Sequence, residues 1–194
     1  ISVGGWYESN DFVQARRFYA YASRTSPGLS HRNFMKNPFF TQWEIDFNTK
    51  TLQYYVQDKI SLGDTTINVG WKGFQVKNDA TAIVAGGRPV GKIKSQDWFQ
   101  PHLGLAHKFN ANLEAFAGFT QVTRAFVSSV TSGPYSTTQA GFDAIKGTLK
   151  PEESDTFELG ARYNTDRFNG TVGVYYVNFR NRLLGIPTGP GIVG

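Results

Sequence analysis

Apolar and polar residues alternate along most of this chain with a period of two. Within residues 153–181, Phe157, Leu159, Ala161 and Tyr163 share one parity, and Thr156, Glu158, Gly160, Arg162 and Asn164 share the other. Such alternation marks a β-strand, whose successive side chains leave opposite faces. The polar knot Asn164-Thr165-Asp166-Arg167 ends that run, and a second run extends from about Phe168 to Leu184. Upstream, Leu52, Tyr54, Val56 and Ile60 alternate with Gln53, Tyr55, Gln57 and Lys59. Gly63-Asp64 then signals a hairpin turn, after which Ile67, Val69 and Trp71 alternate with Asn68, Gly70 and Lys72. Another pair sets Phe99, Pro101, Leu103 and Leu105 against Gln100, His102, Gly104 and Ala106. It continues through Asn110-Ala111-Asn112 to Leu113, Ala115, Ala117 and Phe119 against Glu114, Phe116, Gly118 and Thr120. Pro101 has no amide donor and weakens the strand reading there. An earlier strand is expected to end at Trp6-Tyr7-Glu8, and another to cover Phe40 to Phe47.

The links between these runs are unequal. Those at 63–65, 110–112 and 164–167 are short; those at 9–40, 80–95 and 128–153 are long. In a chain running up and down, all short turns then lie at one end and all long loops at the other. Compact soluble domains rarely hold several loops beyond about 12–15 residues. Strands of about 10–16 residues also exceed the usual soluble length of about 5–6. The pattern predicts an all-β fold: an antiparallel up-and-down meander laid out as a transmembrane β-barrel, with short turns at one end and long loops at the other. Leu159 is expected to face lipid and Arg162 the lumen. A small closed outer-membrane barrel with a structural or adhesive role, or a soluble β-sandwich binding module, has the same pattern strand by strand.

Composition narrows the reading. The 194 residues suffice for one domain. Only 40% are hydrophobic, yet 16 Phe, 9 Tyr, 4 Trp and 21 Gly are present, a mixture suited to strands. The mean hydropathy of −0.35 does not exclude a barrel, in which only alternate residues meet lipid. No run of about 18 apolar residues offers a transmembrane helix. The absence of cysteine removes disulfides and thiolate metal sites. A net charge of +5 comes without a basic run or motif, so nucleic acid is not an expected partner.

The stretch LKPEESDTFELGARY (149–163) resembles the C-terminal part of the barrel of TonB-dependent outer-membrane receptors. LQYYVQDKISLGDTTINVGWKG (52–73) resembles an earlier hairpin of the same family, with Lys72 where arginine is commoner. FQPHLGLAHKFNANLEAFAGFTQVTRAF (99–126) and NGTVGVYYVNFRNRLLGI (169–186) follow in the family's order. In the former, His107 and Phe116 or Phe119 stand near its usual tyrosines. The resemblance implies that residues 1–194 are a fragment of one barrel domain, about a third of a 22-stranded wall. The family's plug domain and C-terminal strand are expected to lie outside it. It further implies the outer membrane of a Gram-negative bacterium and TonB-driven uptake of a scarce nutrient. A ferric siderophore comes first, then cobalamin, haem or oligosaccharides. The implied partners are outer-membrane lipid and lipopolysaccharide, the plug, the TonB energy-coupling protein and a small molecule such as a ferric chelate. This is transport rather than catalysis, with no resident cofactor or metal.

Candidate chemistry concentrates in the expected loops. Residues 9–40 hold Arg16, Arg17, Arg24, Arg32 and Lys36 against Asp11, and residues 80–95 add Arg88, Lys92 and Lys94. Cationic outer loops draw anionic substrates toward a barrel mouth. The candidate substrate-binding set is Arg16, Arg17, Tyr19, Arg24, Arg32, Arg88 and Lys92. Simple solvation, or contact with anionic lipopolysaccharide, is the plainer reading of the same charges. Phe18, Tyr19, Tyr21 and Phe34 are candidate pocket aromatics, whereas Trp6, Tyr7, Trp43 and Trp98 read as interfacial girdle or lumen-edge packing. His31, His102 and His107 lack metal-ligand spacing, although His31 in a loop is a candidate for a haem or metal chelate. Glu152, Glu153 and Asp155 sit at a strand entry and are not read as an acid–base pair. No Ser/His/Asp set can be assembled, and residues 86–91 and 132–134 are loop punctuation rather than phosphate loops.

Overall fold

A computed structural model describes residues 1–19 and 37–183. It contains seven strands: β1 (Ser2–Phe18), β2 (Phe40–Leu62), β3 (Thr65–Val84), β4 (Gly91–Lys108), β5 (Leu113–Arg124), β6 (Glu152–Asn164) and β7 (Asn169–Arg180). They form one antiparallel sheet in sequence order, and β1 and β7 do not pair with each other. The up-and-down meander is as expected, with the turns at 63–64, 109–112 and 165–168 sharing one end. Local chemistry sets these turns. Gly63 has φ +60°, a conformation that a side chain resists. The Asn110 side-chain oxygen accepts the Asn112 and Leu113 amides, each at 2.9 Å. The Thr165 hydroxyl oxygen accepts the Phe168 amide at 3.0 Å.

Two of the expected loops are corrected. β1 does not end at Glu8 but continues to Phe18, so the expected 9–40 loop begins ten residues late. The 80–95 loop contracts to the turn 85–90 between β3 and β4. Residues 40–47 and 52–60 are one strand of 23 residues.

The physical reason is an exchange of polarity along the strands. Near the turns, one face carries Leu52, Tyr54, Val56 and Ile60, aligned with Ile67, Val69 and Trp71 and then with Leu103 and Leu105. Ala117 and Phe119, Phe157 and Leu159, and Val172 and Val174 extend this band across β5 to β7. Among the described residues nothing covers it: Leu159 is 60% exposed and Val172 70%. Toward the other end of β2, β3 and β4, the same face becomes polar, with Asp46, Asn48, Lys50, Gln75, Lys77, Lys94 and Gln96. There the opposite face turns apolar instead, with Trp43, Ile45, Phe47, Phe74, Val76, Ala80 and Ile93 all buried. The strands continue through the exchange because backbone pairing ignores which parity is apolar.

Residues 125–151, which include most of the expected 128–153 loop, cover that second apolar face. The Phe126 amide donates to the Ser95 hydroxyl on β4 at 3.2 Å, and its carbonyl accepts from the Asn78 amide group on β3 at 2.8 Å. Ser128 bonds the Thr49 hydroxyl on β2 at 2.7 Å, and the Val130 amide donates to Gln14 on β1 at 3.0 Å. The segment thus crosses four strands in turn. It then forms a short 3-10 turn, Gly133–Ser136, and helix α1, Gln139–Ile145. Thr138 caps α1 by accepting the Gly141 amide at 3.1 Å. Phe126, Val130, Tyr135 and Phe142 complete a core with Trp43, Ile45, Phe47, Ala80 and Ile93. Tyr135 packs edge-on to Phe47 and stacks on Phe142, with ring centres 5.2 and 4.9 Å apart. Its hydroxyl lies 2.9 Å from the Gly91 carbonyl, and burial, aided by the charge of Asp79, pushes its pKa well up. Below this core, β4 and β5 pair only between His102 and Lys108. The Gln100 side chain bridges the widening gap by accepting the Thr123 amide at 2.9 Å, and Thr123 also donates to Asp97.

Candidate functional site

At the loop end, the covered face terminates in a cluster around Trp43. Arg16 lies directly across from Trp43, just before a register shift in β1. From the other side, the turn 85–90 folds onto β2 so closely that a Cβ on Gly86 would strike the Gln42 carbonyl. This directs Arg88 over the Trp43 ring, its guanidinium carbon 5.8 Å from the ring centre. The Arg16 guanidinium lies 5.5 Å over Phe18. Two cations therefore stand over aromatic rings at the loop end, where they can attract an anion.

The remaining candidates are placed differently. Arg17 is held by Glu44 at 2.7 Å, and this hydrogen bond raises its pKa. Tyr19 follows the end of β1 and is half-buried. Lys92 is not in a loop: it stands on β4, on the face opposite Arg16, paired with Asp79 at 3.2 Å. Arg16 and Arg17 are likewise strand residues rather than loop residues. Arg24 and Arg32 lie outside the described residues, as do Tyr21, His31, Phe34 and Lys36.

Nearer the turns, the covered face is polar. Arg162 pairs with Glu114 at 2.7 Å and lies 4.4 Å over the Phe116 ring, while that ring packs against Gly160. Leu159 and Arg162 thus occupy opposite faces, as their parity requires. On the uncovered face, Trp98 stacks on Tyr54 at 6.3 Å and Trp71 lies 6.0 Å from Phe99. These rings stand where the apolar band gives way to charge, which is the position of an interfacial girdle.

The pattern of the family described as "TonB dependent receptor-like, beta-barrel" matches residues 2–194. The chain belongs to this family of TonB-dependent receptors. Two solved receptors share its fold. The ferric citrate transporter FecA, unliganded, superposes with a TM-score of 0.70 at 21% identity, over 98% of this chain and 26% of that one. The alcaligin outer-membrane receptor FauA from Bordetella pertussis gives 0.52 at 15% identity, over 96% of this chain and 32% of that one. The chain therefore spans about a quarter to a third of the length of these receptors.

In a TonB-dependent receptor barrel, the apolar band is the outer face of the wall and the face under residues 125–151 is the interior. Several sequence candidates then find structural roles. Arg180 joins Glu153 at 3.2 Å and Asp155 at 2.9 Å, so these carboxylates tie β6 to β7. His107 bonds the Thr65 hydroxyl at 2.8 Å beside Phe109 and secures two neighbouring turns. His102 faces the interior beside Gly70. The pairing of Arg88 with Trp43, and the fold of residues 125–151, were missed from sequence. The spacing of Pro134-Tyr135 and Thr138 before Phe142 is the local signal that points to the second.

Proposed function

We propose that residues 1–194 are part of the barrel wall of an outer-membrane receptor in a Gram-negative bacterium, importing a ferric chelate of siderophore type by TonB-driven transport. Family membership supports the transport class. Arg88 over Trp43, with Arg16 across the strand pair from it and over Phe18, supports an anionic substrate at the loop end. Tyr19 follows β1 at this end, and Arg24 and Arg32 come next in the sequence as further cations. Arg17 braces β1 against β2 through Glu44, and Lys92 flanks the mouth from outside. The complete receptor would add a plug and contact with the TonB protein, and its outer wall would meet lipid and lipopolysaccharide.

The test uses the full-length receptor as the sole iron-uptake route of an iron-limited cell. Arg16→Ala with Arg88→Ala should weaken binding of an anionic ferric chelate by at least tenfold without lowering barrel levels. Unchanged binding would remove the mouth cluster from the site. Import by the wild type of a neutral nutrient, and of no ferric chelate, would overturn the substrate class.

A further inference from the structure

We infer that Gln139, on the segment covering the interior face, is a positioning residue that holds Arg88 over Trp43 for anion binding. This rests on the substrate reading above and adds to it a residue that touches no substrate itself. Arg88 ends a tight turn. Its amide donates to the Ala85 carbonyl at 2.9 Å, and Gly86 and Gly87 have φ +51° and +76°, the two positive values of a type I′ turn. That turn orders Arg88 only relative to Ala85. The next three residues are held by a distant part of the chain. Pro89 is fully buried, and the Val90 amide donates to the Gln139 side-chain oxygen at 2.9 Å. The Gln139 side-chain nitrogen returns a bond to the Val90 carbonyl at 3.1 Å. The Tyr135 hydroxyl donates to the Gly91 carbonyl at 2.9 Å. Of these side chains, Gln139 grips both backbone groups of one residue.

The clamp needs an amide. Its oxygen accepts and its nitrogen donates, as a neighbouring strand would. A carboxylate at that position would present a second acceptor to the Val90 carbonyl. It would also stand beside Asp143, to which the Gln139 nitrogen donates at 3.2 Å. Gln139→Glu therefore opens the clamp while keeping the size of the side chain. The consequence reaches the Arg88 guanidinium, two residues from Val90 and 5.8 Å from the Trp43 ring centre. A cation on an unheld turn must be ordered when an anion binds, and that ordering subtracts from affinity. A cation whose backbone is already held loses less. By linkage, an anion bound at Arg88 must tighten the clamp by the same factor by which the clamp improves binding. Residues 125–151 thus set the geometry of the mouth as well as filling the interior.

The experiment uses the full-length receptor in detergent, labelled with fluorotryptophan, with the Trp43 resonance assigned by its loss in Trp43→Phe. Arg88→Ala and Gln139→Glu should each move the Trp43 fluorine resonance, because each takes the cation off the ring. With Arg88→Ala already present, Gln139→Glu should move it no further. A second shift of equal size there would mean that Gln139 acts only on the core, and would overturn the inference. An unmoved resonance in the single Gln139→Glu variant would do the same. Inorganic pyrophosphate, a compact polyanion, then probes binding by calorimetry. Gln139→Glu should weaken it about fivefold, the low end of ordinary coupling, and by less than about 1.5-fold in the Arg88→Ala background. Equal losses in both backgrounds, or no loss from Gln139→Glu where Arg88→Ala does weaken binding, would overturn the inference. In the wild type, pyrophosphate should slow exchange of the Val90 amide, and Arg88→Ala should remove that slowing. If pyrophosphate binding is indifferent to Arg16→Ala and Arg88→Ala together, the mouth reading fails, and the fluorine shifts alone decide whether Gln139 holds Arg88. If Gln139→Glu does not reach the membrane, Gln139→Met, uncharged and of similar length, is used and the same outcomes apply.

Discussion

On β2, the turn-side half puts Leu52, Tyr54, Val56 and Ile60 outside and Gln53, Gln57 and Lys59 inside; the loop-side half puts Asp46, Asn48 and Lys50 outside and Trp43, Ile45 and Phe47 inside. One unbroken strand carries both arrangements. The contrast shows that each face answers to its own surroundings at each height. Under the proposed function, lipid keeps the outer face apolar on the turn side and leaves the interior free to be polar. On the loop side the outer face is polar, and residues 125–151 offer the interior face an apolar partner. Alternation identifies a strand, while the parity of its apolar residues reports the medium.

Removing the loop-side core tests whether the halves are independent. Phe142→Ala should cost about 3–5 kcal/mol, because a fully buried ring is lost from a packed site. Hydrogen exchange of the full-length receptor should show faster exchange at the Phe126 and Val130 amides and unchanged protection in the turn-side strands. Loss of protection at Leu159 or Val174 as well would show that the two halves fold as one.

The same outer face at two heights gives the next contrast. Leu159→Arg should destabilise the barrel in lipid bilayers by about 2–4 kcal/mol. Gln96→Arg, also on that face but above the girdle, should change stability by less than about 0.5 kcal/mol. Equal costs in a bilayer folding titration would contradict the exchange.

The interior of the turn-side half is tested by Gly160→Leu. A side chain there would displace the Phe116 ring on which Arg162 rests. The expected cost is about 1–3 kcal/mol, measured in the same titration, from overpacking. A neutral result would mean that this interior has room to adjust.

The smallest effect concerns pH. Hydrogen bonds from Lys146 and Gln139 lower the Asp143 pKa. A carboxylate whose folded pKa is depressed stabilises the fold above its unfolded value of about 3.9, and this contribution fades as pH falls through the folded value. Amide exchange in α1 should therefore accelerate modestly below about pH 4, and Asp143→Asn should abolish that acceleration.

These contrasts also explain what could be read in the sequence. The hairpins at 63–64, 110–112 and 164–167 were legible because turn chemistry is local: Gly63, Asn110 and Thr165 supply it from their own side chains or backbone freedom. The parity of Leu159 against Arg162 was legible for the same reason. The continuity of β2 was not, because Asn48-Thr49-Lys50-Thr51 interrupts the apolar parity and resembles a break. Arg16 and Arg88 were singled out by charge. Their meeting at Trp43 depends on a register and on a turn closing against another strand, and neither is a local property. The core around Tyr135 depends on contacts across four strands, which no single stretch of sequence contains.

The length of β2 has a consequence for how a charged ligand meets this protein. At about 3.3 Å per residue and a tilt near 40°, its 23 residues climb roughly 55–60 Å. The lipid-facing band of such barrels occupies only about 25 Å of that height. Arg16 and Arg88 therefore stand roughly 30 Å above the hydrocarbon edge, more than three screening lengths of about 8 Å in physiological salt. Under the proposed function, the negative potential of the membrane surface is largely screened at that altitude, and an arriving anion meets Arg16 and Arg88 with little opposing repulsion.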